Sequence, residues 1–214
     1  MLLLEEIFKM NKVKHSDSFN LRIHRGISWL KKSSDLSNDL DLQFISLWIA
    51  FNAIYAEDLP IAQDKQSLRK FLQVVCQADQ EHKIYHLIWE RFSQPIRAVL
   101  DNPFIYQGFW DYQNQKISQQ TCDEGLKREK QKVLQALKDK DSAYILYIVF
   151  NRLYTLRNQI VHGGATYQSS VNRPQLHNAV QVLSILLPSF IQVLIENAQH
   201  LDLGKPYYPV VQLH

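Results

Sequence analysis

Arg157-Asn158-Gln159-Ile160-Val161-His162-Gly163-Gly164 closes an apolar run that begins at Ser142. The run predicts one long helix over 142–161, and the two glycines, free to take positive φ, predict its stop, with His162 in or just past the last turn. Arginine carries a permanent planar cation whose donors fit a phosphate, and histidine exchanges a proton near neutral pH. Five residues at ~100° each place Arg157 and His162 about 140° apart on one helix, so they do not share a face. Asn151, Thr155, Asn158 and His162 instead fall on one polar stripe. Arg157 lies outside that stripe, beside Leu146, Phe150, Leu153 and Val161, where a cation needs a carboxylate, a phosphate or a partner's backbone to satisfy it. A second subunit carrying its own copy of the motif would set two arginines and two histidines around one cleft. Two plainer readings stand beside the chemical one: His162 caps the helix, its cation favoured by the helix dipole, and Arg157 pairs with an acid elsewhere.

Working outward, the chain is helical almost throughout. With 214 residues, 46% of them apolar, and only six glycines and seven prolines, it predicts one all-α domain with a sizeable core. Ser16-Asp17-Ser18 offers caps for a helix over 19–32 with Phe19, Ile23, Ile27 and Leu30 facing inward. Residues 39–57 are apolar around most of the circumference, which makes that helix central; Asn52 reads as a core amide. Leu59-Pro60 begins a connection, and further helices are predicted over 64–77 and 81–92. Within the latter, His82 and His86 have a metal-binding spacing but no third ligand, and no metal site is assigned. Pro95 opens a short segment ending at residues 101–103.

Residues 101–120 interrupt the rhythm with Phe104, Tyr106, Phe109, Trp110 and Tyr112. Such rings ordinarily plug a satellite core; the alternative is stacking on unpaired bases. Thr121 is the expected cap of a helix over 124–138 that turns Leu126, Val133, Leu134 and Leu137 inward. Its outer side carries Lys127, Arg128, Lys130, Lys132, Lys138 and Lys140, interspersed with Glu124, Glu129 and Asp139, ordinarily a solvated face and alternatively a phosphate-tracking one. The loop 165–172 is polar and is expected at the same mouth as His162. Pro174 opens the last long helix, to about residue 198, kinked near Pro188. Pro206-Tyr207-Tyr208-Pro209-Val210-Val211 predicts an extended tail lying along the domain or on a partner.

The formal net charge of +3 permits nucleic-acid binding without demanding it. Cys76 and Cys122 have no C-x-x-C partner, so neither a disulfide framework nor a zinc site is expected. The N-terminal run has acids where a signal peptide needs bases. Residues 180–195, interrupted by Gln181, Ser184, Pro188, Ser189 and Gln192, fall short of the ~20 residues of a membrane span and predict a buried helix. A cytoplasmic protein without a membrane partner is expected. P-loop, G-x-S-x-G and G-x-G-x-x-G patterns are absent, and no cofactor is predicted.

The stretch 157–164 resembles the R-polar-x3-H signature of the HEPN superfamily, with Asn158 as the polar residue. Leu47-Trp48-Ile49-Ala50-Phe51-Asn52-Ala53-Ile54-Tyr55 resembles the early core helix of its Apea-like branch, which also tends to read I-V-H-G at the motif. The two stretches occur in the expected order and span about residues 40–198. The resemblance implies a HEPN-like helical bundle with extra helices, its core over about 16–200, an aromatic-rich insertion at 101–120 and a tail at 201–214. It further implies a homodimeric, metal-independent endoribonuclease with a role in defence or stress response, and an antitoxin-like protein as a further partner. Arg157, Asn158 and His162 would be catalytic, and Asn151, Thr155 and Gly163 would contact an RNA or nucleotide. A member that kept the fold and lost the activity would instead be a non-catalytic module binding a nucleotide, RNA or protein.

Overall fold

A computed structural model describes residues 2–57, 64–91, 93–206 and 208. The connection expected at Leu59-Pro60, the helix end expected at Phe92, and Tyr207 and residues 209–214 of the tail lie outside the described residues. Among those described there are ten α-helices and no β-strand, so the chain is all-α.

The helices are α1 (Leu2–Asn11), α2 (Asp17–Asp35), α3 (Leu40–Tyr55), α4 (Asp64–Ala78), α5 (Lys83–His86), α6 (Ser93–Asp101), α7 (Gln107–Gln113), α8 (Gln119–Asp139), α9 (Ser142–Val161) and α10 (Arg173–Asn197). A π turn, Leu87–Arg91, continues α5, and 3₁₀ turns follow α1, α6 and α10. Short side chains set the starts. Ser16 accepts the Phe19 N–H at 3.3 Å, Asp39 that of Leu42 at 3.0 Å, Ser118 that of Thr121 at 3.1 Å and Asp141 that of Tyr144 at 2.9 Å, each satisfying a donor that the first turn leaves open.

α3 lies at the centre and packs on both α2 and α10. α2 approaches it closely because Gly26 has no side chain; a Cβ there would stand 2.6 Å from Ile54 Cγ2. The core is tied together by rings. Phe51 of α3 stacks on Phe150 of α9 at 4.1 Å and on Tyr55 at 4.5 Å, and meets Phe71 of α4 edge-on; Phe150 and Phe71 both reach Phe190 of α10. Four helices thus share one aromatic knot, and the buried residues form one continuous cluster from α1 to α10.

α10 has the bounds expected of the helix that Pro174 opens, Arg173–Asn197, and the apolar 180–195 segment lies inside it. Arg173–His200 is a run of 28 residues, long and apolar enough to cross a membrane by length and composition, with Pro188 inside its helix. Yet 61% of its most apolar window is buried in this fold, so that surface is occupied by the bundle.

Two expectations for α8 are corrected. It starts at Gln119 behind Ser118, not at Thr121, and Leu134 points outward with 65% of its surface exposed. The inward side is instead Cys122, Leu126, Glu129, Val133, Ala136 and Leu137. Residues 101–120 are also more regular than an irregular insertion: Pro103–Ile105 makes a 3₁₀ turn and α7 follows. Of the rings expected there, Phe109, Trp110 and Tyr112 are half-buried, while Phe104 is 49% exposed.

Beyond α10, residues 201–206 run along the domain, where Arg22 holds them. This arginine is 1% exposed, and its guanidinium donates to the carbonyls of Ile54, Ala56, Leu203 and Gly204 at 2.9–3.4 Å. Glu57 and Pro206 form a β-bridge beside it.

Candidate functional site at the end of helix 9

α9 ends as its glycines predict. Gly163 has φ +72°, the Gly163 N–H donates to the Ile160 carbonyl at 3.1 Å, and the Gly164 N–H reaches back to the Gln159 carbonyl at 2.6 Å. These two bonds make a Schellman stop, in which the left-handed residue lets the chain fold back on the last turn. His162 is the cap, at φ −95° and ψ 13°, and is exposed. Among the described residues nothing hydrogen-bonds its imidazole.

Arg157 differs from the expectation of a cation sunk among apolar neighbours. It is half-buried, and Val161, expected beside it in the interior, is 50% exposed. No carboxylate among the described residues pairs with it. Its Nη1 donates instead to Asn158 Oδ1 at 3.0 Å, so the two adjacent side chains form one unit. No contact among the described residues joins Arg157 to His162 within one chain.

The polar stripe is only partly displayed. Asn151 and Asn158 are half-buried. Thr155, expected to touch substrate, is buried at 4% exposure and its hydroxyl donates to the Asn151 carbonyl at 3.2 Å. That hydroxyl is used up within its own helix, so in this chain Thr155 does not line an open surface. Gly163 stands free, with nothing within 4 Å of where a Cβ would be. The 47–55 stretch of α3 lies against α9: Trp48 meets Tyr154 edge-on at 6.0 Å, one turn before Asn158.

On α9 the arginine that does sit in the interior is one the sequence did not single out. Arg152 is 3% exposed. Burial disfavours its charge and Glu129 of α8 counteracts this, through a short ion pair with Arg152 Nη2. Nη1 reaches the Asn102 carbonyl at 3.3 Å, and the guanidinium lies over the Tyr106 ring at 4.6 Å. Gln159 was also missed. Its carbonyl takes part in the Schellman stop and its side chain donates to the Phe104 carbonyl at 2.8 Å, which moors the 103–105 turn to the motif. Neither residue carries a local signal, because the partners lie on other segments.

The loop expected at the mouth of the site is folded back onto α3. Tyr167 hydrogen-bonds Asp39, Arg173 pairs with Asp41, and Arg173 Nε donates to the Ser169 carbonyl at 2.8 Å. The Tyr167 contact and the Leu42 N–H together hold the Asp39 carboxyl below its ordinary value, the backbone bond being the larger cause.

Elsewhere, His86 Nδ1 lies 2.9 Å from Glu90, and His82 sits in the left-handed region at φ 56°. No group of three or more His, Cys, Asp or Glu side chains among the described residues is placed to hold a metal ion. The last turn and a half of α9 therefore carries a half-buried guanidinium and amide and an exposed imidazole, residue types suited to binding phosphate and moving protons. No family model, no curated protein and no solved structure matches the chain.

Proposed function

We propose that this chain is a HEPN-like endoribonuclease that works as a homodimer and without metal. The observation that carries the reading is the state of Arg157. It is a half-buried cation with no carboxylate among the described residues, engaged with the neighbouring amide of Asn158, one turn from an exposed and unengaged His162. The structural arginines of this fold look different: Arg152 is buried and ion-paired, and Arg22 is buried with its guanidinium on four backbone carbonyls.

In the reaction, the 2′-hydroxyl of one nucleotide attacks the adjacent phosphorus. One His162 takes the hydroxyl proton, the bond from phosphorus to the 5′-oxygen breaks, and that oxygen receives a proton from the partner's His162. The products are a 2′,3′-cyclic phosphate and a 5′-hydroxyl. Arg157 offsets the charge that builds on the phosphorane-like transition state, and Asn158 fixes the guanidinium. Two copies are required because the two side chains do not meet within one chain.

Incubating the purified protein with end-labelled RNA in EDTA tests this. Cyclic-phosphate ends are expected, and Arg157→Ala and His162→Ala are each expected to lower the rate by about 10²-fold or more. Cleavage that needs a divalent ion, or that survives either substitution, overturns the reading. The mild net charge of +3 favours the second reading, a non-catalytic binding module; RNA retained intact by a dimeric protein would support it.

A further inference from the structure

The turn between α6 and α7 is held more firmly than a connection requires. Asn102 Oδ1 accepts the Phe104 N–H at 2.9 Å, and the Phe104 carbonyl accepts both Trp110 Nε1 at 2.7 Å and Gln159 Nε2 at 2.8 Å. Tyr106, two residues on, is seated between glycines. A Cβ at Gly108 would stand 2.6 Å from its ring, and one at Gly125 2.7 Å from its hydroxyl. Arg152 covers the ring face. The backbone around Phe104 is thus fixed, yet the Phe104 side chain stays 49% exposed, edge-on to Phe109 at 5.4 Å. An exposed ring on an immobilised backbone has already lost much of the freedom that binding would otherwise cost.

α8 packs beside α7. Over residues 127–132 it carries Lys127, Arg128, Lys130 and Lys132, and a single acid, Glu129. That acid is turned inward onto Arg152, so the outward side of the stretch is left cationic. Arg128 follows by three residues Gly125, against which the Tyr106 hydroxyl is seated, and Lys132 is one helical turn further along the same face. The acids nearby lie towards the start of α8 and on α7: Glu124 is one turn before Arg128 and accepts Gln120 Nε2 at 2.9 Å, Asp123 precedes it, and Asp111 accepts Gln107 Nε2 at 3.0 Å.

We infer that Phe104 and the outward cations of α8 form a track for single-stranded RNA, an unpaired base stacking on the Phe104 ring while phosphates run past Arg128 and Lys132. The inference rests on the endoribonuclease reading, since Gln159, which moors Phe104, immediately follows Asn158. It adds a subsite away from the cleavage centre, one that takes a strand with splayed bases, because a paired base offers no free face to a ring at the surface. Stacking of this kind tolerates any sequence, and the cationic contribution weakens with salt.

The test uses the full chain carrying His162→Ala, so that RNA stays intact, and the fluorescence anisotropy of a labelled mixed-sequence single strand of about 20 nucleotides. Adding Phe104→Ala is expected to weaken binding roughly 5- to 150-fold, the worth of one base–aromatic stack. Phe104→Leu, which keeps the bulk without the π face, is expected to lose affinity likewise, and Phe104→Trp to retain it. The pair Arg128→Ala and Lys132→Ala is expected to flatten the slope of log affinity against log salt by about 1.4, or 0.7 for each phosphate that is no longer neutralised. A duplex of the same sequence should show no dependence on Phe104. The track is overturned if the single strand does not bind, if Phe104→Leu binds within about twofold of its parent, or if the salt slope is unchanged. Failure of the nuclease reading is distinguishable: wild-type protein that never cleaves, beside Phe104-dependent binding, removes the catalysis and leaves the track.

Discussion

Glu129→Ala separates the two arginines of the motif helix. Arg152 and Arg157 are five residues apart, and only the first is ion-paired in the interior. Removing one partner of a buried pair leaves the other charge desolvated and costs about 3–5 kcal/mol. The side chain of Arg152 is 4% exposed and that of Glu129 23%, and the Asn102 carbonyl and the Tyr106 face still receive the guanidinium. Both features argue for the lower end, about 3 kcal/mol. At roughly 2–4 °C per kcal/mol for a chain of this size, Tm should fall by about 6–12 °C. Urea unfolding followed by far-UV circular dichroism gives the free energy directly. Replacing both partners, Arg152→Met with Glu129→Leu, should bring stability back to within about 1 kcal/mol of the parent, since no charge is then stranded. Arg157→Ala, by contrast, breaks no ion pair and should cost under about 1 kcal/mol. A loss below about 1 kcal/mol for Glu129→Ala, or a double variant no better than the single ones, would refute the assignment of Arg152 as the structural arginine.

Three further outcomes are expected. Gly163→Ala meets no steric obstacle but must hold φ +72°, so it should lose about 1–2 kcal/mol in the same urea assay; an unchanged midpoint would mean that the stop does not depend on the left-handed residue. The Cys76 thiol is pushed up to about 12, by burial first and then by Asp79 and Asp141. Its alkylation by iodoacetamide at about pH 8 should therefore run around 10³-fold slower in native than in unfolded protein, and comparable rates would contradict its burial. Burial, with Lys14 adding to it, lowers the His15 pKa, and both ring nitrogens are buried without partners among the described residues. The unfolded chain then takes up the proton first on acidification. The contribution of His15 is therefore complete above the unfolded value of about 6.5 and is lost as pH falls through the folded one. His15→Phe should reduce the drop in urea midpoint between about pH 7.5 and 5.5, and an identical drop would remove His15 as its source.

Helices whose apolar residues fall on one side were legible in the sequence. Phe19, Ile23, Ile27 and Leu30 all face inward from α2, and α9 has the bounds that its apolar run and its glycines predict. What periodicity could not supply was the rotation of a helix that is apolar nearly all round. On α9 the apolar residues spread widely enough that Arg157 looked interior, whereas the acid that decides the matter is Glu129, brought across from α8. Arg22 was hidden for a related reason: its acceptors are backbone carbonyls of residues 54 and 56 and of residues 203–204, which no side-chain pattern announces. Leu134 misled in the opposite sense, since α8 turns a narrower side inward than its leucines suggest. The ordered turn at 103–105 depends on donors from Gln159 and Trp110 and on the cradle around Tyr106, contacts that exist only after α8 and α9 have docked.

The stitching of residues 167–173 to Asp39 and Asp41 has a consequence for how the molecule breathes. Asp39 anchors the opening amides of the central helix and also accepts the Tyr167 hydroxyl, so one carboxylate serves two distant parts of the chain. Peeling back the segment that follows Gly164 would strip that carboxylate of a donor and loosen the Leu42 amide. Deuterium uptake at Leu42 would then rise and fall with every opening at the far end of the loop, and local unfolding would join the entry to α3 and the exit from α9 in one cooperative unit.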